Sequence, residues 1–547
     1  MAGNVLSKKN YADIYAADRG GINVGLDADI YLNQEATPRV YNPPSVGTAG
    51  QSIGDTSPST DISAGTDDNL DIAVDGGAVV TANIASVAGL NTGSLIAAAL
   101  ETAINAALSA ASQSAKVCVA YVTDHYEVLS QNVGAASSVV ITDAGADNLA
   151  DDLLLGVANS GVESVGLDDT DCLLYTEGGF TYEQPFEPSP HRSGRFFSGI
   201  VKQKCVAAFD VTTLFNMKES GADVIDPAIQ LLWKSLVGGQ TNVAGSPNKI
   251  CYNQKLPTIF ISAAVVSTIY GEYYTGAYVQ GMTITQPGDA VGTMQWTGIA
   301  SEAYISGLSQ VDGAVSASAN VVVNLSAVDG QSEACRYSAN GRVMVVKADG
   351  ETITDGFLGD LYVVSVNAIT NTVVLNRPVD AEDNGYLVPW NPGANKTKCT
   401  DNIYSDLTGE FKLDCNASES QCITNFTASF ANNHFDINNC FGAKCNQGFI
   451  PAERLTVELS VTFDLSNENF AQVVKLRDCK GLCPYFQLGD PATTGAYFTL
   501  QAENWIPNVP PIALPSSGPT PITLTGTLYE TSKGSNDPFK ATYYEGP

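Results

Sequence analysis

Three histidines are the only side chains in this 547-residue chain with an ordinary pKa near neutrality. His125 lies in a predicted strand beside Tyr126, His191 lies in a loop rich in Pro, Ser and Arg, and His434 lies in a polar turn. None has a nucleophile or a second histidine at a useful spacing, and the G-x-S-x-G, H-E-x-x-H and P-loop motifs are absent. We therefore expect structural or solvated histidines, no enzymatic activity and no cofactor.

Carboxylates are abundant, so a pair of acids suited to glycoside hydrolysis stays open on sequence grounds. Sugar-binding grooves usually carry many aromatic side chains. The four tryptophans of this chain are scattered and are typical of core or interface positions: Trp233, Trp296, Trp390 and Trp505.

Seven of the twelve cysteines fall between residues 399 and 483. Their spacings include Cys440-x4-Cys445 and Cys479-x3-Cys483, but no C-x2-C pair occurs, so the zinc signal is weak and no metal site is predicted. Disulfide bonds and buried free thiols both remain open.

The chain carries 27 Lys and Arg against 58 Asp and Glu, a net charge of −31. This balance argues against a protein that binds nucleic-acid phosphates tightly, because such binding needs clustered cations.

The N-terminus has no apolar signal-peptide region, and no run of about 20 uninterrupted apolar residues occurs. We therefore expect synthesis in the cytoplasm and no membrane insertion.

Strand patterns dominate the sequence. Leu455 to Leu465 alternates strictly between apolar and polar residues, which predicts a strand with one buried and one solvated face. Similar alternation recurs at Ile423–Phe430, Val291–Thr297 and Ile522–Tyr529. Helical periods are few, at Thr92–Ala111, Asp226–Val237 and Asn467–Asp478. The sequence therefore predicts a mainly β fold.

Two parts of the chain follow the same order of elements. In each, a strand ends in Phe-Asp, a helix follows, and Thr-Gly-Ala-Tyr then precedes a last strand containing Thr-Gly. We interpret them as two copies of one β-rich unit, interrupted by two inserts. The predicted divisions are an N-terminal arm with the first strands (1–52), an inserted α+β domain (53–170), a first unit (171–311), a small β insert (312–400) and a second unit (401–547).

The order of elements from Ile423 to Tyr529 resembles that of the tail tube (major tail) proteins of long-tailed bacteriophages. The matching features are ITNFTASFANN, a Gly-rich loop, LTVELSVTFDL with its following helix, TGAYFTLQAENWIPNVPP and PITLTGTLYE. The first copy resembles the unit less sharply, best at DPAIQLLWKSLVGG. The segments DNLDIAVDGG, TGSLIAAALETAINAAL and LSQNVGAASSVVIT resemble modules of other phage tail proteins.

This resemblance implies duplicated tail-tube-type β-sandwich units, each with a flanking helix, in a structural virion protein. Such a protein is made in the bacterial cytoplasm and polymerises as stacked rings into the tail tube, a conduit for DNA ejection. Its strands would line a lumen through which DNA passes without specific binding. The wet face of LTVELSVTFDL supplies the lumen-facing candidates, Thr456, Glu458, Ser460, Thr462 and Asp464.

The expected partners are further copies of the chain and other tail proteins. Two units per chain predict a homotrimeric ring with pseudo-sixfold symmetry, and one unit per chain would instead give a homohexamer. The insert 53–170 is expected to project outward, because a channel cannot accommodate it. Two alternatives stay open: another tail structural protein, such as a terminator, distal hub or decoration protein, and a secreted carbohydrate-binding β-protein.

Overall fold

The computed structural model describes most of the chain between residues 11 and 544. The described residues are mainly β-strand with few helices, so the predicted fold class is confirmed. The segments outside the description are 1–10, 20–27, 165–171, 218–224, 393–401, 416–421, 437–448, 490–496, 510–519, 530–537 and 545–547, together with gaps of one to five residues elsewhere.

Helix α1 (Tyr11–Arg19) and strand β1 (Asp29–Gln34) form the N-terminal arm. The sequence analysis did not predict this helix. Tyr11 and Tyr15 are buried in a cluster that includes side chains of the distant β insert, and the Tyr15 hydroxyl donates a hydrogen bond to Glu333 at 3.2 Å. The arm is therefore anchored by contacts far away in sequence.

Residues 49–164 fold around a hydrophobic core of their own. Strand β2 (Ala49–Ile53) lies just before the predicted boundary at residue 53, and it pairs with strands β6 (His125–Val133) and β8 (Val162–Ser164) of this domain. Two sheets, in the orders β5-β6-β2-β8 and β4-β3-β7, enclose the core. The elements are β2 (Ala49–Ile53), β3 (Asn69–Val74), β4 (Val80–Asn83), α2 (Gly93–Ala110), β5 (Val117–Val122), β6 (His125–Val133), β7 (Val139–Asp143), α3 (Leu149–Asp152) and β8 (Val162–Ser164).

Helix α2 is the longest helix of the described residues, and the oxygen of Thr92 caps it by accepting from the Leu95 amide at 3.4 Å. By length and composition it is apolar enough to cross a membrane. Its buried face includes Ile96, Leu100 and Ile104, which pack in the insert core. We therefore interpret α2 as the core helix of this domain.

The next part of the chain supplies the first half of the main β structure. Asp226 begins helix α4 by accepting from the Ala228 amide at 2.8 Å, and Gly238 ends it in the left-handed conformation. The elements are β9 (Cys172–Leu173), β10 (Glu177–Glu183), β11 (Phe186–Pro188), β12 (Arg192–Ser193), β13 (Phe196–Phe197), β14 (Ile200–Lys202), β15 (Val206–Leu214), β16 (Asn216–Met217), α4 (Pro227–Val237), β17 (Gly238–Val243), β18 (Lys249–Gln254), β19 (Ile261–Val266), β20 (Tyr270–Pro287), β21 (Thr293–Ala300) and β22 (Glu302–Gly307).

The small β insert has its own core and two small sheets, in the orders β23-β29-β25-β26 and β24-β28-β27. Its first paired strand begins at Ser309, three residues before the predicted boundary. Its elements are β23 (Ser309–Gln310), β24 (Val322–Asn324), β25 (Val343–Val346), β26 (Ile353–Asp355), β27 (Val363–Asn367), β28 (Thr372–Leu375) and β29 (Tyr386–Pro389).

The two inserts contact each other through charged groups. The Lys347 ammonium of the β insert donates to the buried Glu101 carboxylate of α2 at 2.8 Å, and Lys116 lies 3.7 Å from Asp349. The other oxygen of Glu101 accepts from the Val119 amide at 3.0 Å. These contacts hold the two inserts against each other.

The second half completes the main β structure. Residues 469–470, 473–474 and 476 are helical, within the predicted helix Asn467–Asp478; the rest of that segment lies outside the description. The strands are β30 (Asn402–Ile403), β31 (Glu410–Lys412), β32 (Ile423–Ala431), β33 (His434–Asp436), β34 (Phe449–Pro451), β35 (Thr456–Asp464), β36 (Tyr485–Leu488), β37 (Tyr497–Ala502), β38 (Pro521–Thr527) and β39 (Phe539–Tyr544).

The two halves share their sheets and one core, so they are not separate sandwiches. Seven antiparallel strands run in the order β10-β15-β21-β20-β32-β35-β38, with β20 and β32 joining the halves. Strand β20 also continues into a branch formed by β19, β1, β9 and β22. A six-stranded sheet, β17-β18-β39-β37-β36-β31, crosses between the halves at β18 and β39. The hydrophobic core contains side chains from both sheets.

The structure resolves part of the open cysteine question. Cys415 and Cys483 form a disulfide that links the segments next to β31 and β36, and Cys205 is also disulfide-bonded. The described cysteines that are not disulfide-bonded are Cys118, Cys172, Cys251, Cys335 and Cys422. Cys399, Cys440, Cys445 and Cys479 lie outside the described residues.

Candidate functional surface

Strand β35 places the five lumen-facing candidates on one side. Its burial alternates along the strand, with Val457, Leu459, Val461 and Phe463 packed into the core. The five candidates alternate with them on the outward side, where each is exposed or half-buried: Thr456, Glu458, Ser460, Thr462 and Asp464. That this side faces a lumen stays a prediction.

The strand registers extend this outward side across all seven strands, and we call the result the polar face. One row of directly paired residues crosses the whole sheet: Glu177, Thr212, Gln295, Thr283, Ser429, Glu458 and Thr527. The next row crosses five strands: Thr293, Thr285, Thr427, Ser460 and Thr525. A single surface of hydroxyl, amide and carboxylate groups therefore spans both halves of the chain.

Many side chains of the polar face bond to their cross-strand neighbours. The Ser460 and Thr525 hydroxyls lie 2.9 Å apart, as do those of Thr462 and Thr523. The Gln295 amide donates to both Asp210 oxygens at 2.9 and 3.1 Å. Such pairs satisfy polar groups within the sheet and hold its side chains in fixed positions.

The charges of the polar face have one sign. The seven strands contain no Lys, Arg or His. The outward side carries five carboxylates, at Glu177, Glu183, Asp210, Glu458 and Asp464. A surface of this kind repels phosphate groups.

Within the seven strands, two blocks have the same order. In β10-β15-β21 and in β32-β35-β38, a hairpin is followed by a third strand that pairs with the second strand of the hairpin. Strand β20 lies beside the first block. Beside the second block, Trp505 and Asn508 form antiparallel bridges with Leu528 and Thr525 of the β38 region. The repeat period along the sheet is therefore four strand positions.

Glu35 lies where the long strand β20 turns from its branch into the polar sheet. One carboxylate oxygen accepts from the Gly276 amide at 2.6 Å and the Ser262 hydroxyl at 3.1 Å, and the other accepts from the Arg39 amide. Gly276 has a φ of +61°, and a Cβ atom there would lie 2.4 Å from the Ser301 hydroxyl oxygen. Glu35 therefore stabilises a turn that favours glycine.

Burial raises the pKa of Glu35 to about 7, although the three hydrogen bonds and Arg39 oppose this shift. Folding therefore favours the protonated form, and stability is lost as the pH rises from the ordinary pKa of 4.5 to the folded-state value. We expect this one group to lower the free energy of unfolding by about 3 kcal/mol between pH 4.5 and pH 8. Denaturant unfolding across this pH range measures the loss. Glu35→Gln should flatten the curve and exposed Glu177→Gln should not; parallel curves for Glu35→Gln and wild type would contradict the assignment.

The histidines do not form a site among the described residues. The His125 Nε2 atom lies 3.0 Å from Glu127 on the same strand. His191 lies outside the described residues, and for His434 the description extends only to its strand. No group of three or more His, Cys, Asp or Glu side chains in the described part of the chain is arranged to hold a metal ion.

The sequence analysis assigned only β35 to the polar face. It did not identify the other six strands as parts of the same surface. Their Thr-rich period-two patterns were visible, for example in Ile522–Tyr529, but a pattern does not reveal which strands are neighbours.

No known protein-family model matches the chain, and no curated protein matches it significantly.

Proposed function

We propose that this chain is the structural subunit of a phage tail tube, in which rings stack to form a conduit for DNA ejection. The observation that carries the proposal is the polar face, a seven-stranded antiparallel surface without a cation that crosses both halves of the chain. In the ring, this face lines the lumen. Its acids keep DNA away from the wall, and its bonded hydroxyls present no group that holds phosphate.

The ends of the seven-stranded path supply the means of ring closure. Among the described strands β10 pairs only with β15, and we propose that its other edge receives a strand of the neighbouring chain. At the opposite end, Trp505 and Asn508 occupy the position next to β38 that β20 occupies next to β21. Since β32 pairs with the outer edge of β20, we propose that β10 of a neighbouring chain pairs in the same way with the outer edge of the segment at Trp505 and Asn508.

The test combines electron microscopy with site-specific labelling. Purified protein should form rings or filaments with a central channel. In those filaments, Thr462→Cys should react with a small maleimide but far more slowly with a long polyethylene glycol maleimide, because the bulky reagent enters the channel poorly. The matched control is Ile369→Cys, since Ile369 is 97% exposed on the β insert and should react with both reagents. Peptide mass spectrometry separates these sites from the native thiols.

Fast labelling of Thr462→Cys by the bulky reagent in intact filaments would place the polar face outside the channel. Protein that stays monomeric and binds glycans would support the carbohydrate-binding alternative.

A further inference from the structure

The six-stranded sheet presents a surface of different chemistry on the opposite side of the sandwich. Its core side includes Ile250, Tyr252 and Tyr543. We call its outward side the lysine–tyrosine face. The strand register aligns the residues of this side in rows that cross neighbouring strands. Its principal members are Lys249, Lys412, Tyr485, Tyr497, Lys540 and Tyr544.

The tyrosines of this face lie close to the sheet and to one another. The Tyr497 and Tyr544 rings stack with centroids 4.1 Å apart. Tyr544 also hydrogen-bonds to Thr499, which lies beneath it and is only 6% exposed. These rings are already ordered, so a partner that packs on them would restrict few additional rotamers. Ordered, half-exposed tyrosines are typical of protein interfaces.

The lysine–tyrosine face is cationic in an otherwise strongly acidic protein. Lys249 lies 6.0 Å from the centre of the Tyr544 ring, and Lys412 lies 5.8 Å from that of Tyr485. Lys540 is exposed and lies in the same cross-strand row as Tyr485 and Lys412, because it pairs with Gln501 and Gln501 pairs with Tyr485. Glu410, which is 3.3 Å from Lys412, is the one acid in the six strands, so the sheet has three lysines against one glutamate. This surface fits an acidic partner.

The inserted domain of residues 49–164 has the complementary charge. It contains 14 Asp and Glu and one Lys, a net charge of 1 − 14 = −13 when histidine is neutral. Its lysine, Lys116, is already near Asp349. Several of its acids bond to neutral groups; Asp71, for example, accepts from the Thr81 hydroxyl at 2.6 Å. Asp55, Asp61 and Asp151 are exposed to solvent.

We propose that the lysine–tyrosine face of one copy binds the acidic inserted domain of a second copy. The tyrosine rings supply the desolvated contact, and the lysines around them pair with the domain's carboxylates. The contact joins two copies whether or not they form a tube, so it can hold or fail independently of the proposed function. In a tube, it gives the inserted domain a role in joining copies rather than only in surface decoration.

Zero-length carbodiimide crosslinking of a mixture of light and isotopically heavy copies tests the contact directly. The reagent joins a lysine amine to a carboxylate that it touches, so mixed-isotope peptides identify links between copies. We expect Lys249 and Lys540 to be linked to Asp or Glu within residues 49–164 of another copy. Links from these lysines only within one copy, or to acids outside that domain, would overturn the proposal, as would no link between copies at all.

A pair of charge reversals gives an independent measurement. Lys249→Glu with Lys540→Glu should weaken association between copies by about tenfold or more at low salt, and added salt should weaken the wild-type contact in the same direction. Lys234→Glu, a half-exposed lysine on α4, is the matched control and should leave association unchanged. Sedimentation velocity measures the association. Equal association of the double variant and the control would overturn the proposal, even if ring formation is intact.

Discussion

Replacing Trp233 with alanine is expected to lower the free energy of unfolding of the sandwich by about 3 to 5 kcal/mol. Trp233 is fully buried on α4. Its ring stacks on Tyr252 at 5.2 Å and meets Trp296 and Phe430 edge-on at 5.6 and 5.7 Å. Its indole N–H donates to the Tyr543 hydroxyl at 3.0 Å. Alanine would leave a large cavity where both sheets and both halves of the chain meet.

The effect should be confined to the sandwich, because the inserted domain has a separate hydrophobic core. Hydrogen exchange read by mass spectrometry at increasing denaturant distinguishes the two regions. Peptides of β20, β32 and β39 should lose protection earlier in Trp233→Ala, whereas peptides of α2 should be unaffected. Trp233→Phe keeps most of the ring packing and is the matched control. Equal losses in the two variants would show that packing around this ring contributes little.

Local periodicity was sufficient to predict several elements of the fold. The alternation in Leu455–Leu465 predicted β35, and the apolar period with its Asp-Pro start predicted α4. Helix α1 escaped prediction because its burial depends on the distant β insert. Strand β2 lies just before the predicted boundary at residue 53, and its pairing with β6 and β8 of the inserted domain is a contact that residue order does not show.

The repeat shows the same limit more sharply. Sequence comparison equated the strand ends Phe209-Asp210 and Phe463-Asp464. In the sheet, Phe209 pairs with Gly298, whereas the residue that pairs with Gly526 is Leu459, four residues before Phe463. The two blocks share their order of strands with an offset in register. Short matching peptides therefore indicated the repeated order without giving the residue correspondence.

The polar face could be predicted strand by strand but not as one surface. Each strand's polar residues follow from the period of two. These residues form one continuous surface only because β20 pairs with β32. That contact joins residues about 150 positions apart in the chain, and no local pattern specifies it. Glu35 was missed for a similar reason, because its ligands Ser262 and Gly276 are more than 200 residues away.

End-on views of the proposed tube are expected to show true threefold symmetry with an approximate sixfold pattern. Two blocks of the same strand order lie in one chain, so three chains would supply six blocks to a ring. All pairings in the seven-stranded path are antiparallel, and β10 and β38 therefore run in the same direction. An eighth position is needed for antiparallel closure, and the segment at Trp505 and Asn508 lies where that strand belongs.

Ring mass and image symmetry measure this prediction together. A ring of three chains has a mass of 3 × 57.3 = 171.9 kDa, and a ring of six has twice that mass. Native mass spectrometry of isolated rings should give the smaller value, and class averages should keep the threefold difference between the two blocks. The difference should be visible because the ring has two kinds of junction. The two blocks of one chain are covalently connected, whereas the second block of one chain meets the first block of the next chain without a covalent connection. Six chains per ring with true sixfold symmetry would show that each chain supplies one unit, with its seven strands acting together and not as two repeated blocks.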